Sequence, residues 1–405
     1  MDGSLLTLTI TPSQDSVVIL GGNADLWTAT AGYNQDLGIW VSGVDPARYP
    51  NGIVAWKESG GRSGTFSPNA AYVHAVVALK AGVTYTVALK WKANQPAGNA
   101  SIYAGAGPLH DGTYSPTRLI ADVLPPRDSV ATTASNTQYQ LTNSDGQSWV
   151  DMDPSRLALT ITPTADTTAI ISGNADLWTA TAGYNQDLGI SVDGAVVAWK
   201  ESGGYAGTFS PNAAAVEAVY PLKAGTTYVI KLQWKTNKPA AGVGIYAGAG
   251  AGSPYSPTTL TVRLQAAGVS VARSTQQYRL SGSDGSTWSD IDTASLSIPV
   301  TITGSCVAIV TGNADLWTET AGYNQDLAIT VDGVVVAWKE SGGRSGTFSP
   351  NAALVQAVVT MTAGQTHTVA LRWKMNVPST AAIRAGAGPL AGQYSPTSLG
   401  VQLGC

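Results

Sequence analysis

The chain has 405 residues, among them 45 Gly and 21 Pro, and a formal net charge of −4 from 22 Lys+Arg against 26 Asp+Glu. Only 12% of the residues are charged, about half the usual share, so the chain lacks the basic surface that nucleic acid or anionic lipid attracts. Its apolar runs fall well short of the roughly 20 residues of a bilayer-spanning helix, while 12 Trp and 16 Tyr argue against intrinsic disorder. Length alone predicts two to four domains at about 100–200 residues each.

In chain order, Met1–Leu5 shows no basic segment leading into an apolar one, so no signal peptide is expected. Either a leader has been removed or the protein reaches its site without the secretory route, as a virion component released by lysis does. Leu6, Leu8 and Ile10 then alternate with Thr7, Thr9 and Thr11, the period of a half-buried strand. Next come Gly-Asn-Ala-Asp-Leu-Trp-Thr from Gly22, Ala-Gly-Tyr-Asn-Gln-Asp-Leu from Ala31, and a long loop through Asp45, Pro46, Arg48, Tyr49 and Pro50. Val-Ala-Trp-Lys-Glu-Ser-Gly-Gly from Val54 and Gly-Thr-Phe-Ser-Pro-Asn-Ala-Ala from Gly64 follow. A strand with Tyr85, Val87, Leu89 and Trp91 on one face precedes Tyr-Ser-Pro-Thr at Tyr114. One glycosylation sequon, Asn99-Ala-Ser101, stands alone.

All five motifs recur. The first restarts at Gly173 and Gly312, and Asp176 to Asp315 spans 139 residues, a period too long for a solenoid or a propeller blade. Each copy is therefore expected to be a whole domain, with boundaries at 1–125, 126–265 and 266–405. The later two copies are preceded by related segments, Gln138–Leu141 to Trp149 and Gln277–Leu280 to Trp288, which predict a lead-in hairpin that the first copy lacks. Asp193-Gly194 and Asp332-Gly333 mark tight hairpin turns where copy one has its long loop. No helical apolar stripe competes. The expected fold is all-β, three tandem antiparallel β-sandwich domains of about eight strands each.

The Trp-x-Asp-x-Asp lead-in (Trp288 to Asp292), the alternating first strand, the Val-Asp-Gly hairpin, the run Leu222 to Trp234 and the closing Leu-x-Val-x-Leu resemble the jelly-roll heads of C1q/TNF-like proteins, found on extracellular proteins and phage fibres. The resemblance implies threefold self-association, as a homotrimer or as a pseudo-trimer of the three copies within one chain. First and last strands are often neighbours in jelly rolls, so Cys306 and Cys405 are placed to form a disulfide; two free thiols are the alternative reading.

Catalysis finds little support. His74, His110 and His367 are not repeated, and the positions matching His74 hold Glu217 and Gln356, so no nucleophile–base pair or zinc set recurs. The repeated ionisable groups are Asp25, Asp36, Lys57, Glu58 and Lys92, with Asp176, Asp187, Lys200, Glu201, Lys235 and Asp315, Asp326, Lys339, Glu340, Lys374. Two carboxylates would serve a glycoside hydrolase, whereas Glu58 beside Lys57 reads as a surface or interface ion pair. Asn23 with Asp25, and likewise Asn174 with Asp176 and Asn313 with Asp315, are oxygen pairs that suit calcium or turn-capping. Trp27, Tyr33, Asn34, Trp56, Phe66, Asn69 and Tyr114 supply aromatics and amides of the kind that hold sugars. The ligand-facing set expected is Tyr33, Asn34, Asp36; Tyr184, Asn185, Asp187; and Tyr323, Asn324, Asp326.

The sequence thus reads as a non-enzymatic protein without cofactor, on a virion surface as fibre, tail or capsid decoration. Its expected partner is a host-surface glycan or another virion or cell-surface protein, with threefold copies raising avidity. A secreted or cell-wall lectin-like protein is the alternative, and a glycoside hydrolase the third. Nucleic acid and membrane insertion are not expected.

Overall fold

The structure is a computed structural model that describes residues 1–124, 130–265 and 267–404. It is all-β, built from antiparallel sheets, as the period-two alternation requires. The boundaries expected beside residues 125 and 265 adjoin 125–129 and 266, which are outside the described residues, as is Cys405. Cys306 is buried at the head of the strand Cys306–Thr318.

Each repeat has two facing sheets. In the first, Thr7–Ile10, Tyr85–Ala93, Gln35–Val41 and Ile53–Ser59 lie in that order. The register sets Leu8 opposite Val87 and Ile10 opposite Tyr85, so every inward side chain meets another. The second sheet is centred on the 13-residue strand Ser16–Thr28, which carries Asn69–Leu79 on one edge and Ile102–Ala104 with Arg118–Leu124 on the other. Both predicted tight turns are present, with left-handed backbone at Asp193 (φ 50°), Gly194 (φ 83°), Asp332 (φ 52°) and Gly333 (φ 82°).

The lead-in segment is not a hairpin. Val130–Ser135 pairs with Thr258–Gln265 and Tyr139–Thr142 with Gly244–Ala247, so one bent stretch lines one edge of the sheet. Val150–Asp151 then joins the opposite sheet along Tyr228–Thr236. Covering two open edges satisfies more backbone groups than folding the segment on itself would. The crossing seats Trp149 over Gly189, where an added Cβ would lie 2.8 Å from the indole; at Gly38 in repeat 1 the nearest atom is 3.5 Å away. Repeat 3 holds Ala328 at the matching position, opposite Trp338, whose ring lies 6.1 Å from that of Trp288, so the indole can make room for a methyl and Gly189→Ala should cost no more than about 1 kcal/mol in denaturant melts.

Each repeat has its own apolar cluster, and each cluster accepts one alanine from a neighbour: Ala213 enters the core of repeat 1, Ala352 that of repeat 2 and Ala70 that of repeat 3. The strands Asn69–Leu79, Asn212–Leu222 and Asn351–Met361 all touch one another, so the three repeats close into a ring. Tyr72, Ala215 and Leu354 plug its centre.

Candidate functional site

The edge strand Ile53–Ser59 of repeat 1 points its outer side at repeat 2. Lys57 and Glu58 both reach across. Lys57 Nζ donates to the carbonyls of Asn174 (3.3 Å) and Pro257, and the Glu58 N–H donates to Asp176 Oδ2 at 2.9 Å. Asn34 bridges the same joint, donating through Nδ2 to Glu58 Oε1 at 2.7 Å and to the Phe209 carbonyl at 3.0 Å.

The pattern turns once per repeat. Between repeats 2 and 3, Lys200 reaches Asn313 and Pro396, Glu201 N–H donates to Asp315 Oδ2 (2.9 Å), and Asn185 donates to Glu201 and Phe348. It closes with Lys339 on the Pro116 carbonyl, Glu340 N–H on Asp25 Oδ2 (3.0 Å), and Asn324 on Glu340 and Phe66. Three joints of one design make an intrachain pseudo-trimer.

Burial controls the charges here. It pushes Glu58 up to about 8, helped by the neighbouring Asp36 carboxylate, and raises Glu201 and Glu340 well above the usual range for the same reason. Burial also lifts Asp176 to about 6 against the pull of Lys57, and lowers Lys57 to about 8. The glutamic acids are therefore protonated near neutrality and donate to Asp36, Asp187 and Asp326. That proton supplies a partner to the Oδ1 atoms of those aspartates, which are buried and meet no other donor among the described residues. Their Oδ2 atoms bind Lys92, Lys235 and Lys374.

The nine expected ligand-facing residues divide sharply. Asn34, Asn185 and Asn324 are each 3% exposed, and Asp36, Asp187 and Asp326 are also buried, because the joints and the sheet beside them use these polar groups. Only Tyr33, Tyr184 and Tyr323 are half-buried and reach solvent. The oxygen pairs considered for calcium lie inside as well. Asn23 Nδ2 donates to the carbonyls of Ala71 and Leu354 (both 3.1 Å), and Asn174 and Asn313 make the matching bonds. Asp25, Asp176 and Asp315 each face a lysine ammonium, so a cation already stands beside these carboxylates.

Sequence reasoning missed the axis. Around a cavity of about 90 Å³ the threefold breaks: equivalent positions hold His74, Glu217 and Gln356, and further along Asp122, Arg263 and Gln402. Arg263 pairs with Asp122, which also accepts Gln402 Nε2 at 3.0 Å. Three identical charges on an axis repel one another. Joining the copies in one chain lets an acid, a base and an amide share it. Burial pushes Glu217 up to about 7 and, with Lys57 nearby, pulls His74 down to about 4. Asp122→Arg should cost about 2–3 kcal/mol, and adding Arg263→Asp should restore most of it in urea unfolding. The signal available in the sequence was the failure of these columns to repeat.

No family model matches the chain, and no curated protein matches it. Among solved structures it is similar to VP2 of infectious bursal disease virus in a subviral particle, at 10% identity and a TM-score of 0.24, over 96% of this chain and 65% of that one. The chain thus spans slightly under two thirds of that protein. A second similarity, to infectious bursal disease virus Gx strain, has 10% identity and a TM-score of 0.23 over 98% and 80% of the chains. PNGF-II aligns over 96% of this chain and 98% of its own, at 8% identity and a TM-score of 0.29. At these scores no function passes from them to this chain.

Proposed function

We propose that the chain is a non-catalytic structural body displayed on a particle surface, as a phage or virus fibre, tail or capsid-decorating component, with its outer faces available for adhesion. One observation carries the reading: the repeated carboxylates that an enzyme or calcium site would use are buried in and beside three equivalent joints that lock a ring. Sealing such groups inside favours rigidity over chemistry, and three domains fused in one chain would not depend on concentration to assemble. Against glycoside hydrolysis stands the burial of all three repeated carboxylates in each copy, each already bonded to a lysine, a backbone N–H or a neighbouring side chain. Mass spectrometry of purified particles from the source organism tests the proposal. The chain should appear there in fixed proportion to other particle proteins, and its absence from every particle would sink the reading.

A lectin-like secreted or cell-wall protein is the second reading, favoured by the groove described next.

A further inference from the structure

We infer that the groove between repeats 1 and 2 binds an acidic saccharide, at one site per chain. The groove has a volume of about 850 Å³, the size of a small-ligand cleft, and its walls include Arg48, Tyr49, Asn51, Trp56, Asn136 and Arg156. The proposal extends the adhesion part of the reading above and is separable from the particle part.

Three features make this joint unlike the others. Residues 42–52 form an 11-residue connection in repeat 1 where repeats 2 and 3 turn through Asp193-Gly194 and Asp332-Gly333, and this connection supplies Arg48, Tyr49 and Asn51 to one wall. Trp56 has no ring partner among the described residues and is half-buried. Its counterparts are covered, Trp199 by Trp149 at 6.2 Å and Trp338 by Trp288 at 6.1 Å between ring centroids. Finally, among the described residues no Asp or Glu lines the groove, although acids outnumber bases in the chain.

The chemistry converges on a sugar with a negative group. The half-buried Trp56 indole offers a flat apolar surface to the C–H face of a pyranose. Asn51 and Asn136, both exposed, provide amide donors and acceptors for hydroxyls. Arg48 lies exposed with its guanidinium 5.2 Å from the Tyr49 ring centre, held in place but with its donors available. Arg156, also exposed, donates Nη1 to Thr137 Oγ1 at 3.1 Å, which leaves its other N–H groups for a carboxylate or sulfate. Deeper in, Thr259 and His74 line the same groove, and Thr259 Oγ1 and His74 Nδ1 are buried without a hydrogen-bond partner among the described residues.

The test uses the full chain on a glycan array carrying sialylated, uronic-acid and sulfated oligosaccharides beside neutral ones, followed by calorimetric titration with 3′-sialyllactose, a hyaluronan tetrasaccharide and a heparin tetrasaccharide. At least one acidic class should bind, lactose and cellotetraose should not, and added salt should weaken binding. The R48A/R156A double variant should bind at least about 10-fold more weakly, a change of about 1.4 kcal/mol. Replacing residues 42–52 by Asp-Gly-Ala should abolish binding, and both variants should melt within a few degrees of the parent. Absence of any acidic ligand, preference for neutral sugars, or binding that survives both variants would overturn the inference. A chain found in particles that binds no acidic sugar would leave the structural proposal standing and remove this one.

Discussion

Asp176→Ala is expected to destabilise the chain by about 3–5 kcal/mol, measured by urea unfolding followed through tryptophan fluorescence. Asp176 is fully buried, accepts the Glu58 N–H and faces the ammonium of Lys57, which is 1% exposed. Without the aspartate, Lys57 must release its proton or remain a charge without a counterion, and the Glu58 N–H is left buried and unpaired. Asp315→Ala and Asp25→Ala disrupt the matching joints and should have similar costs, since the same groups meet there. The control is K57M/D176A, which removes both charges. It should be more stable than Asp176→Ala alone, because a well-packed apolar pair tolerates burial better than a single ion. A loss below about 1 kcal/mol for all three single variants would mean that the joints do not hold the ring.

The second large effect is on pH dependence. The folded-state pKa of Glu58 is raised from 4.5 to about 8. The unfolded chain releases this proton above pH 4.5 while the folded chain keeps it. The stabilisation is therefore complete below pH 4.5 and declines as pH rises towards about 8. Glu201 and Glu340 act in the same direction, and Asp176, Asp187, Asp315 and Asp326, all raised to about 6, add to the fall at its acid end. Lysines lowered to about 8 oppose the trend only above that pH. The melting temperature should fall between pH 5 and pH 8. In the triple variant E58Q/E201Q/E340Q each amide can still donate to the neighbouring aspartate and accept from the asparagine, with no proton to lose. At pH 8 it should melt roughly 5 °C or more above the parent, and its profile should flatten between about pH 7 and 8. Equal pH profiles for variant and parent would show that the glutamic acids are not held protonated.

The fold was largely legible because alternation and turn chemistry are local. Leu8 with Ile10, the Asp193-Gly194 turn and the five repeated motifs each specify structure within a few residues. The assignment of the polar groups was not legible in the same way. Asn34 and Asp36 look like a ligand-facing loop because they follow Gly32 and Tyr33, yet the partners that bury them, Phe209, Glu58 and Lys92, lie far along the chain. Their use in a joint depends on the ring closing, a long-range event that no local pattern encodes. Low charge content combined with strict repetition of the few ionisable residues was the available clue, since solvated charges drift in sequence more freely than buried pairs. The groove followed the opposite rule. It lies where the repeat fails, at the insertion 42–52.

Amide hydrogen exchange at Glu58, Glu201 and Glu340 tests the closed ring most directly. These N–H groups sit on the outer sides of edge strands, and each is bonded to an aspartate of the next repeat rather than within its own sheet. All three should exchange as slowly as core strands such as Gln35–Val41. Fast exchange at any one of them, beside protected core strands, would mean that the corresponding joint stands open and that the repeats do not form one locked body.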